Sequence, residues 1–559
     1  MKKPLLSEMT LREKIGQCLL VYQYEINQNP ETNYKTDRTQ EERRAVLEKE
    51  QLGVFYGEQV DSYDKRDVDL SDKVRVKVNS TKYKKFIDEQ CQMVKIPPLV
   101  TADCEYGAGS IFEDLSSVCG PLSVGSVDSE ELAFEFGAAV ARELRCGGIN
   151  WRWTPIIDLV NRRSNGIMRN FAPGYPERMA ALSIANFKGM QSEGVAATAK
   201  HFPGSDGYEY RDSHLCPTMV RDSKEKWWKK QGKYFKQLID SGVYSVMIGH
   251  QAFPAVDDTK IGGKFIPSTL SKKVITDLLK EEMGFGGVVV TDGITMGGLF
   301  SLLSYEDLIV MLINAGNDVI LGAKMCSGEI LEKAVRDGRV DEKRIDDACQ
   351  RVLDMKEKIG LFDDNYYNYP YTSKDVVPKT RQINTEIARK SITLVRDRTK
   401  LLPMKKENIK RVTIIVSSHL EEFEAELEPM KKAFEERGAT VKMKRRLASA
   451  DELKEISDNS DLIVYAVYVA GHCPVGGSTL FGDEAYTYFH AFKYGKEKSI
   501  GAAFGYPYIH FDIMENADAF INAYGKNPDS QTAFVEAVYG DIEIVGKSPI
   551  VLEPDLTKE

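Results

Sequence analysis

Seven short apolar, β-branched runs punctuate the first part of the chain: GVFYG (53–57), PPLVTAD (97–103), INWRWTPIIDL (149–159), VAATAKHF (195–202), YSVMIGH (244–250), GVVVTD (287–292) and DVILGA (318–323). Runs of this kind read as strands buried on both faces. Between most of them lie amphipathic helical stretches such as SEELAFEFGAAVARELR and SKKVITDLLKEEM. Repeated strand–helix alternation implies a parallel sheet with helices outside, and seven strands stand one short of a (β/α)₈ TIM-like barrel. Thr10 followed by Glu13 is a capping-box pattern ahead of Ile15, Cys18, Leu19 and Leu20, which predicts an opening helix over residues 10–22. At about 150 residues per domain, 559 residues would suggest three or four domains; a barrel of roughly 250 residues or more lowers that to two.

The domains are expected at 1–362 and 380–559. The turn-rich stretch FDDNYYNYPYTSKDVVPK supplies a connection over 363–379. The second domain again alternates strands (RVTIIVSS, LIVYAVYV, SIGAAFG, DAFINAYG) with helices, as in a smaller α/β three-layer sandwich. A formal charge of −9 argues against nucleic acid as a partner. No apolar run of about 18 residues occurs, so no membrane span is expected. Nine scattered cysteines without a CxxC pair read as reduced thiols, and no signal-peptide pattern opens the chain; both favour the cytoplasm.

Polar residues gather at the ends of the apolar runs: Asp103, Asp158, His201, His250 and Asp292 each close one, where a barrel places its active site. The densest group is KHFPGSDGYEYRDSH (200–214). Lys200 and His201 end a strand, and the following loop carries Asp212-Ser213-His214. In an extended tripeptide, residues i and i+2 project to one side, so Asp212 can reach His214 and fix its tautomer, making a proton shuttle. The ordinary role of such a DxH is a solvated loop, and that of Asp292 is to cap the next helix. A lone arginine such as Arg169 commonly makes a surface contact. Taken together, however, Asp103, Arg169, Lys200 and His201 form a set suited to binding sugar hydroxyls.

At these residues the chain resembles glycoside hydrolase family 3, and within it the β-N-acetylglucosaminidase branch. There a KHFPG strand end precedes an Asp-Ser-His loop and a TD strand end supplies the nucleophile. The resemblance runs through LREKIGQ, INWRWTPIIDL, MIGHQAFPAVD, STLSKKVITDLLKEEMGFGGVVVTD, INAGNDVILGA, EKRIDDACQRVLDMKEKIGLFDD and FVEAVYGDIEIVGKSPI. It implies a barrel followed by an α/β sandwich. Its activity would be release of terminal β-linked N-acetylglucosamine from cell-wall fragments, glycopeptides or chito-oligosaccharides, with retention through a glycosyl-aspartyl intermediate and no cofactor or metal. It makes Asp292 the nucleophile, His214 the general acid/base and Asp212 its orienting partner, with Asp103, Arg169, Lys200 and His201 holding the transferred sugar.

The chain departs from that pattern in places. A stretch resembling DQEGGRVQR reads DCEYGAGSI here, so Ile111 stands where an arginine is expected. Ser205 replaces the histidine after KHFPG, and the loop to Asp-Ser-His is one residue longer. A histidine acid titrates near neutrality and puts no second carboxylate beside the nucleophile, so phosphorolysis or another β-glycoside is the alternative on the same scaffold. Rival classes are a metal-dependent barrel hydrolase, drawing on His201, His214, His250 and Asp292, and a catalytically inactive sugar-binding protein. The first lacks a close-spaced HxH pair and sets Lys200 beside His201; the second must explain intact Asp292, Asp212 and His214.

Overall fold

The computed structural model describes residues 2–28, 37–57, 77–160, 165–205, 209, 211–299, 303–363, 366, 369–418, 420, 423–469, 480 and 482–553. The chain folds as two units. One comprises residues 1–117, 134–159 and 183–380; the other comprises 118–133, 160–182 and 381–559.

The first unit is built on an eight-stranded parallel sheet. In chain order its strands are β1 (Leu19–Tyr22), β2 (Val54–Tyr56), β3 (Leu99–Ala102), β4 (Trp151–Arg152), β5 (Ala196–Phe202), β6 (Ser245–Ile248), β7 (Val288–Thr291) and β8 (Ile320–Leu321). Neighbours in sequence are neighbours in space, and β8 returns to pair with β1 through Leu19–Ile320 and Leu20–Leu321. A bridge between Val290 and Val319 joins β7 to the approach of β8 and closes the ring. The expected barrel is therefore present, and the missing eighth strand is β1.

The expected helix over 10–22 is corrected accordingly: it covers only Leu11–Gln17, and Leu19–Tyr22 is strand. Its start follows the capping box, with Thr10 Oγ1 accepting from Glu13 N at 3.3 Å and Thr10 N donating to the Glu13 carboxylate at 2.7 Å. Its end is hidden in sequence because LLVY extends the apolar pattern. Four buried or half-buried residues are too few for a periodicity of two to be distinguished from one of 3.6.

Inside the barrel, Leu20, Val54, Leu99, Trp151, Met247, Val288, Val290 and Leu321 form one apolar cluster. One polar group in this interior is self-satisfied: the Trp151 indole N–H lies 2.8 Å from Thr198 Oγ1 and 3.0 Å from Ser245 Oγ. Tyr22, Tyr56 and Trp153 pack ring against ring nearer the C-terminal strand ends, with centroids 5.0 and 5.3 Å apart.

The second unit holds a six-stranded sheet of β9 (Thr393–Asp397), β10 (Arg411–Ser418), β11 (Thr440–Arg445), β12 (Leu462–Tyr468), β13 (Ser499–Ala503) and β14 (Ala519–Asn522). Its order is β9-β14-β13-β12-β10-β11, parallel except for the antiparallel edge strand β9. The two edge strands, β9 and β11, lie outside the expected set, because β11 (TVKMKR) is charged and lacks an apolar run. Leu122, Ile167 and Met168, from the first third of the chain, belong to this unit's core. The helix Ser373–Ser391 begins inside the stretch that links the two runs of strands. Among the described residues no helix is long and apolar enough to cross a membrane.

Asp318, fully buried just before β8, ties the barrel together. It accepts from Val289 N at 2.8 Å and pairs with Lys280 at 2.7 Å and Arg344 at 2.5 Å. Burial pulls the Lys280 pKa down while Asp318 opposes the fall. Asp318→Ala would leave Lys280 and Arg344 with Asp347 as their remaining carboxylate and the Val289 N–H without its acceptor, so it should destabilise the protein by about 1 to 3 kcal/mol in urea unfolding. A loss below about 1 kcal/mol would mean that the cations find other partners or water.

Candidate active site

The C-terminal ends of β3, β5 and β7, with the loop after β5, assemble the charged residues singled out in the sequence. Asp292 follows β7 and is 6% exposed. Its backbone N–H donates to Ile248 O at 2.9 Å, and the next N–H, of Gly293, donates to its own Oδ1 at 2.8 Å. Burial pushes the Asp292 pKa up, but His201, His250, His214 and Lys200 together outweigh it, and the carboxyl is held below its ordinary value. A charged carboxylate is therefore kept at the barrel mouth.

Lys200 and His201 are adjacent in β5, and both take part. The register with β6 shifts between Ala199 and Phe202, which breaks the alternation that would send neighbours to opposite faces. Lys200, 3% exposed, extends its ammonium to Glu105 at 2.9 Å and Asp103 at 3.3 Å. His201 Nδ1 lies 2.8 Å from Asp158 Oδ2, and its backbone N–H donates to Asp158 Oδ1 at 3.2 Å. The opposite ring nitrogen, Nε2, is 3.9 Å from Asp292 Oδ2. The backbone on either side of Asp158 is steadied by Gln231, whose amide accepts from Leu159 N and donates to Ile157 O, each at 2.8 Å.

The Asp212–His214 contact forms, but in a turn and not in the expected extended tripeptide: Leu215 N and Cys216 N both donate to Asp212 O at 3.1 Å. Asp212 Oδ1 is 2.5 Å from His214 Nδ1 and also accepts from His214 N at 2.9 Å. The Asp212 side chain is 6% exposed and that of His214 26%. Earlier in the loop Glu209 accepts from Arg211 at 2.6 and 2.9 Å. The pair is docked on the turn after Asp292, where Gly297 N donates to His214 O at 2.8 Å. A Cβ at Gly297 would stand 2.6 Å from Leu215 O, and one at Gly298 would stand 2.7 Å from Ser213 O, so only glycine admits this approach.

Asp103 sits at the mouth with 45% of its side chain exposed, able to accept from a ligand hydroxyl while held beside Lys200. Arg169 ends the turn Asn165–Arg169 and belongs to the second unit. Ile111, at the departure from the expected arginine, is 6% exposed and packs as a core residue.

Glu105, Asp158, His250 and Arg152 belong to the site without having been assigned a sugar-binding or proton-transfer role from sequence. Asp158 and His250 are visible there as polar residues closing apolar runs, and Arg152 as a charge between two tryptophans in WRW. The Arg152 guanidinium is buried and donates to Cys104 O at 2.8 and 2.5 Å and to Glu105 O at 3.0 Å, so it fixes the turn carrying Asp103 and Glu105. Burial lowers its pKa to about 10. No grouping of three or more His, Cys, Asp or Glu suited to a metal ion occurs among the described residues. The arrangement combines a buried anion, a histidine–carboxylate proton carrier and polar side chains for hydroxyl groups, which is what cleavage of a glycosidic bond requires.

Comparison with known proteins agrees. Residues 10–355 match the Glycosyl hydrolase family 3 N terminal domain. A β-N-acetylglucosaminidase/β-glucosidase of Cellulomonas fimi is 27% identical over 486 residues, spanning 81% of this chain and 84% of that protein. A family 3 β-N-acetylglucosaminidase structure from Paenibacillus sp. str. FPU-7 has a TM-score of 0.76 at 24% identity, covering 97% of this chain and 99% of its own. A β-glucoside phosphorylase structure reaches 0.80 at 24% identity, covering 98% and 94%. At that identity the two structures bear on fold alone, and both share the two-part architecture. The chain belongs to glycosyl hydrolase family 3, and its substrate is accordingly a carbohydrate.

Proposed function

We propose that the protein is a retaining β-N-acetylglucosaminidase with Asp292 as nucleophile, His214 as general acid/base and Asp212 as the residue that orients it. The observation that carries this reading is the docking of the Asp212–His214 pair on the turn that follows a buried, ionised Asp292. In the first step an Asp292 oxygen attacks the anomeric carbon while His214 gives its proton to the departing oxygen, leaving a glycosyl ester. In the second, His214 takes a proton from water as the water oxygen displaces Asp292 from the sugar. Asp212 stabilises the imidazolium form of the ring and holds its orientation in both steps. Asp103, Lys200 and His201 bind the hydroxyl groups of the transferred sugar. The preference for an N-acetyl sugar is supported by the Asp-Ser-His loop; the Cellulomonas relative is named for both N-acetylglucosaminidase and glucosidase activity.

A second reading, phosphorolysis, is favoured by one feature. The group at the leaving oxygen is an imidazole, neutral once it has given up its proton, and the Asp212 charge stands on the far side of that ring. An anionic phosphate oxygen meets less repulsion there than beside a catalytic carboxylate. Turnover in phosphate buffer that yields sugar 1-phosphate in place of free sugar would select it. Higher turnover on a nitrophenyl glucoside than on the matching N-acetylglucosaminide would move the substrate and leave the mechanism standing.

The nucleophile is tested by labelling. A slow fluoro-sugar with a good leaving group should esterify Asp292, found in the digest by mass spectrometry, and Asp292→Ala should be folded and inactive. NMR of the first-formed product should show the β-anomer; an initial α-anomer would sink the double displacement. Because Asp292 is held below its ordinary pKa, labelling should persist as the pH falls through about 4, the usual carboxylate range. An acid limb centred above about pH 5 would contradict that environment.

His214 is tested by leaving group. His214→Ala should lose about 10²- to 10⁴-fold on substrates with poor leaving groups. With nitrophenyl leaving groups the glycosyl-enzyme should form and accumulate, and azide should restore turnover as a β-glycosyl azide. Equal losses on good and poor leaving groups, with no azide rescue, would remove His214 from proton transfer.

A further inference from the structure

The turn after Asp292 is held by a side chain to which the double displacement gives no part. His250 follows β6 and is 1% exposed. Its Nε2 lies 2.9 Å from Gly293 O. A carbonyl oxygen only accepts, so Nε2 carries the ring proton. Its Nδ1 lies 3.0 Å from Thr269 Oγ1, a hydrogen bond that holds the second ring nitrogen. Thr269 is itself fixed, since Asn317 Nδ2 donates to Thr269 O at 2.9 Å. The line continues through Gly293 N to Asp292 Oδ1 at 2.8 Å, so a buried polar chain runs from Asn317 to the carboxylate.

Gly293 explains the need for such a chain. Lacking a Cβ, it has a wide choice of backbone angles, yet its N–H orients the Asp292 carboxylate. His250 removes that freedom by holding its carbonyl. The same side chain reaches the other half of the site: a Cβ at Gly298 would stand 3.5 Å from His250 Cβ and 2.7 Å from Ser213 O. His250 therefore borders both the turn that orients Asp292 and the glycine on which the Asp212–His214 loop rests.

We propose that His250 is a positioning residue that locks the 293–298 turn and so sets Asp292 and the Asp212–His214 loop in register. The proposal rests on the reading of Asp292 as nucleophile and His214 as acid. His250 acts through the backbone and donates no proton to the substrate.

Three variants test it. His250→Phe keeps a ring and removes the donor, His250→Gln returns an N–H near the Nε2 position, and Thr269→Val removes the hydroxyl that holds the ring. His250→Phe should lower kcat and the rate of Asp292 labelling by about 10²-fold, as expected when a reacting group is misplaced by ångström distances. KM should change little, and the loss should appear on good as well as poor leaving groups, unlike loss of His214. Gln should recover a large part, and Thr269→Val should show a smaller loss of the same pattern. A folded His250→Phe that labels within about twofold of wild type would overturn the proposal. So would a stably folded Gln variant as slow as Phe, or a loss confined to poor leaving groups. If His250→Phe does not fold, unchanged labelling in Thr269→Val overturns it equally. Failure of the underlying reading is seen separately, as wild-type label on a carboxylate other than Asp292.

Discussion

A carboxylate that is 6% exposed and still ionised must be compensated by its surroundings, and the barrel mouth is organised around that demand at Asp292. Moving such a charge out of water costs several kcal/mol even after the protein relaxes. The compensation comes from separate strands: His201 and Lys200 from β5, His250 after β6, and His214 from the loop after β5. Folding therefore favours the charged form. The stability this contributes is present above the unfolded carboxylate pKa and is lost as pH falls through the depressed folded value. Barrel closure makes the arrangement possible, because parallel strands joined in a ring bring all their C-terminal ends to one rim.

Two histidine–aspartate pairs sit at this rim, and their surroundings separate them. In the His201–Asp158 pair the histidine side chain is 13% exposed, and the remaining ring nitrogen faces the Asp292 carboxylate. Its geometry suits a fixed donor and local counter-charge. In the His214–Asp212 pair the histidine side chain is twice as exposed and stands on a loop that docks through close backbone approaches to the 297–298 glycines. That is the exposure the proposed acid/base role asks of a ring that must meet first a leaving group and then a solvent nucleophile. The chemistry of the two pairs is the same, and environment divides their work, as it does for paired carboxylates in other glycosidases. His250 makes the third case: burial lowers its pKa, both ring nitrogens are within hydrogen-bond distance of a partner, and it serves as scaffold.

What is legible in the sequence is what announces itself locally. Seven barrel strands can be read because strands buried on both faces are continuous apolar runs, and the Asp212–His214 pair because i, i+2 proximity needs no tertiary knowledge. The eighth strand, Leu19–Tyr22, is hidden behind a correctly capped helix whose apolar pattern runs straight into it. Glu105, Asp158, His250 and Arg152 escape assignment because each acts through a partner far away in the chain: Lys200, His201, Gly293 and the carbonyl of Cys104. Arg169 shows the converse. A motif nominates it, while the packing of the chain assigns its segment to the second unit.

Every group that the proposed double displacement would use, Asp292, Asp212 and His214, belongs to the first unit, as do the side chains that hold them. Their spacing is set less by side-chain packing than by main chain meeting main chain. Gly297 and Gly298 let the 213–216 backbone come closer than any Cβ would allow, and Gly293 turns the chain so that its own N–H faces the carboxylate. Such contacts fix position well, because both partners are backbone with few degrees of freedom. They also remove the side chains that would ordinarily stiffen the turn. The buried polar chain from Asn317 through Thr269 and His250 supplies the missing stiffness. A turn built from glycines for proximity thus requires a rigid polar brace beneath it, and the two features have to be kept together for the carboxylate and the imidazole to face the same bond.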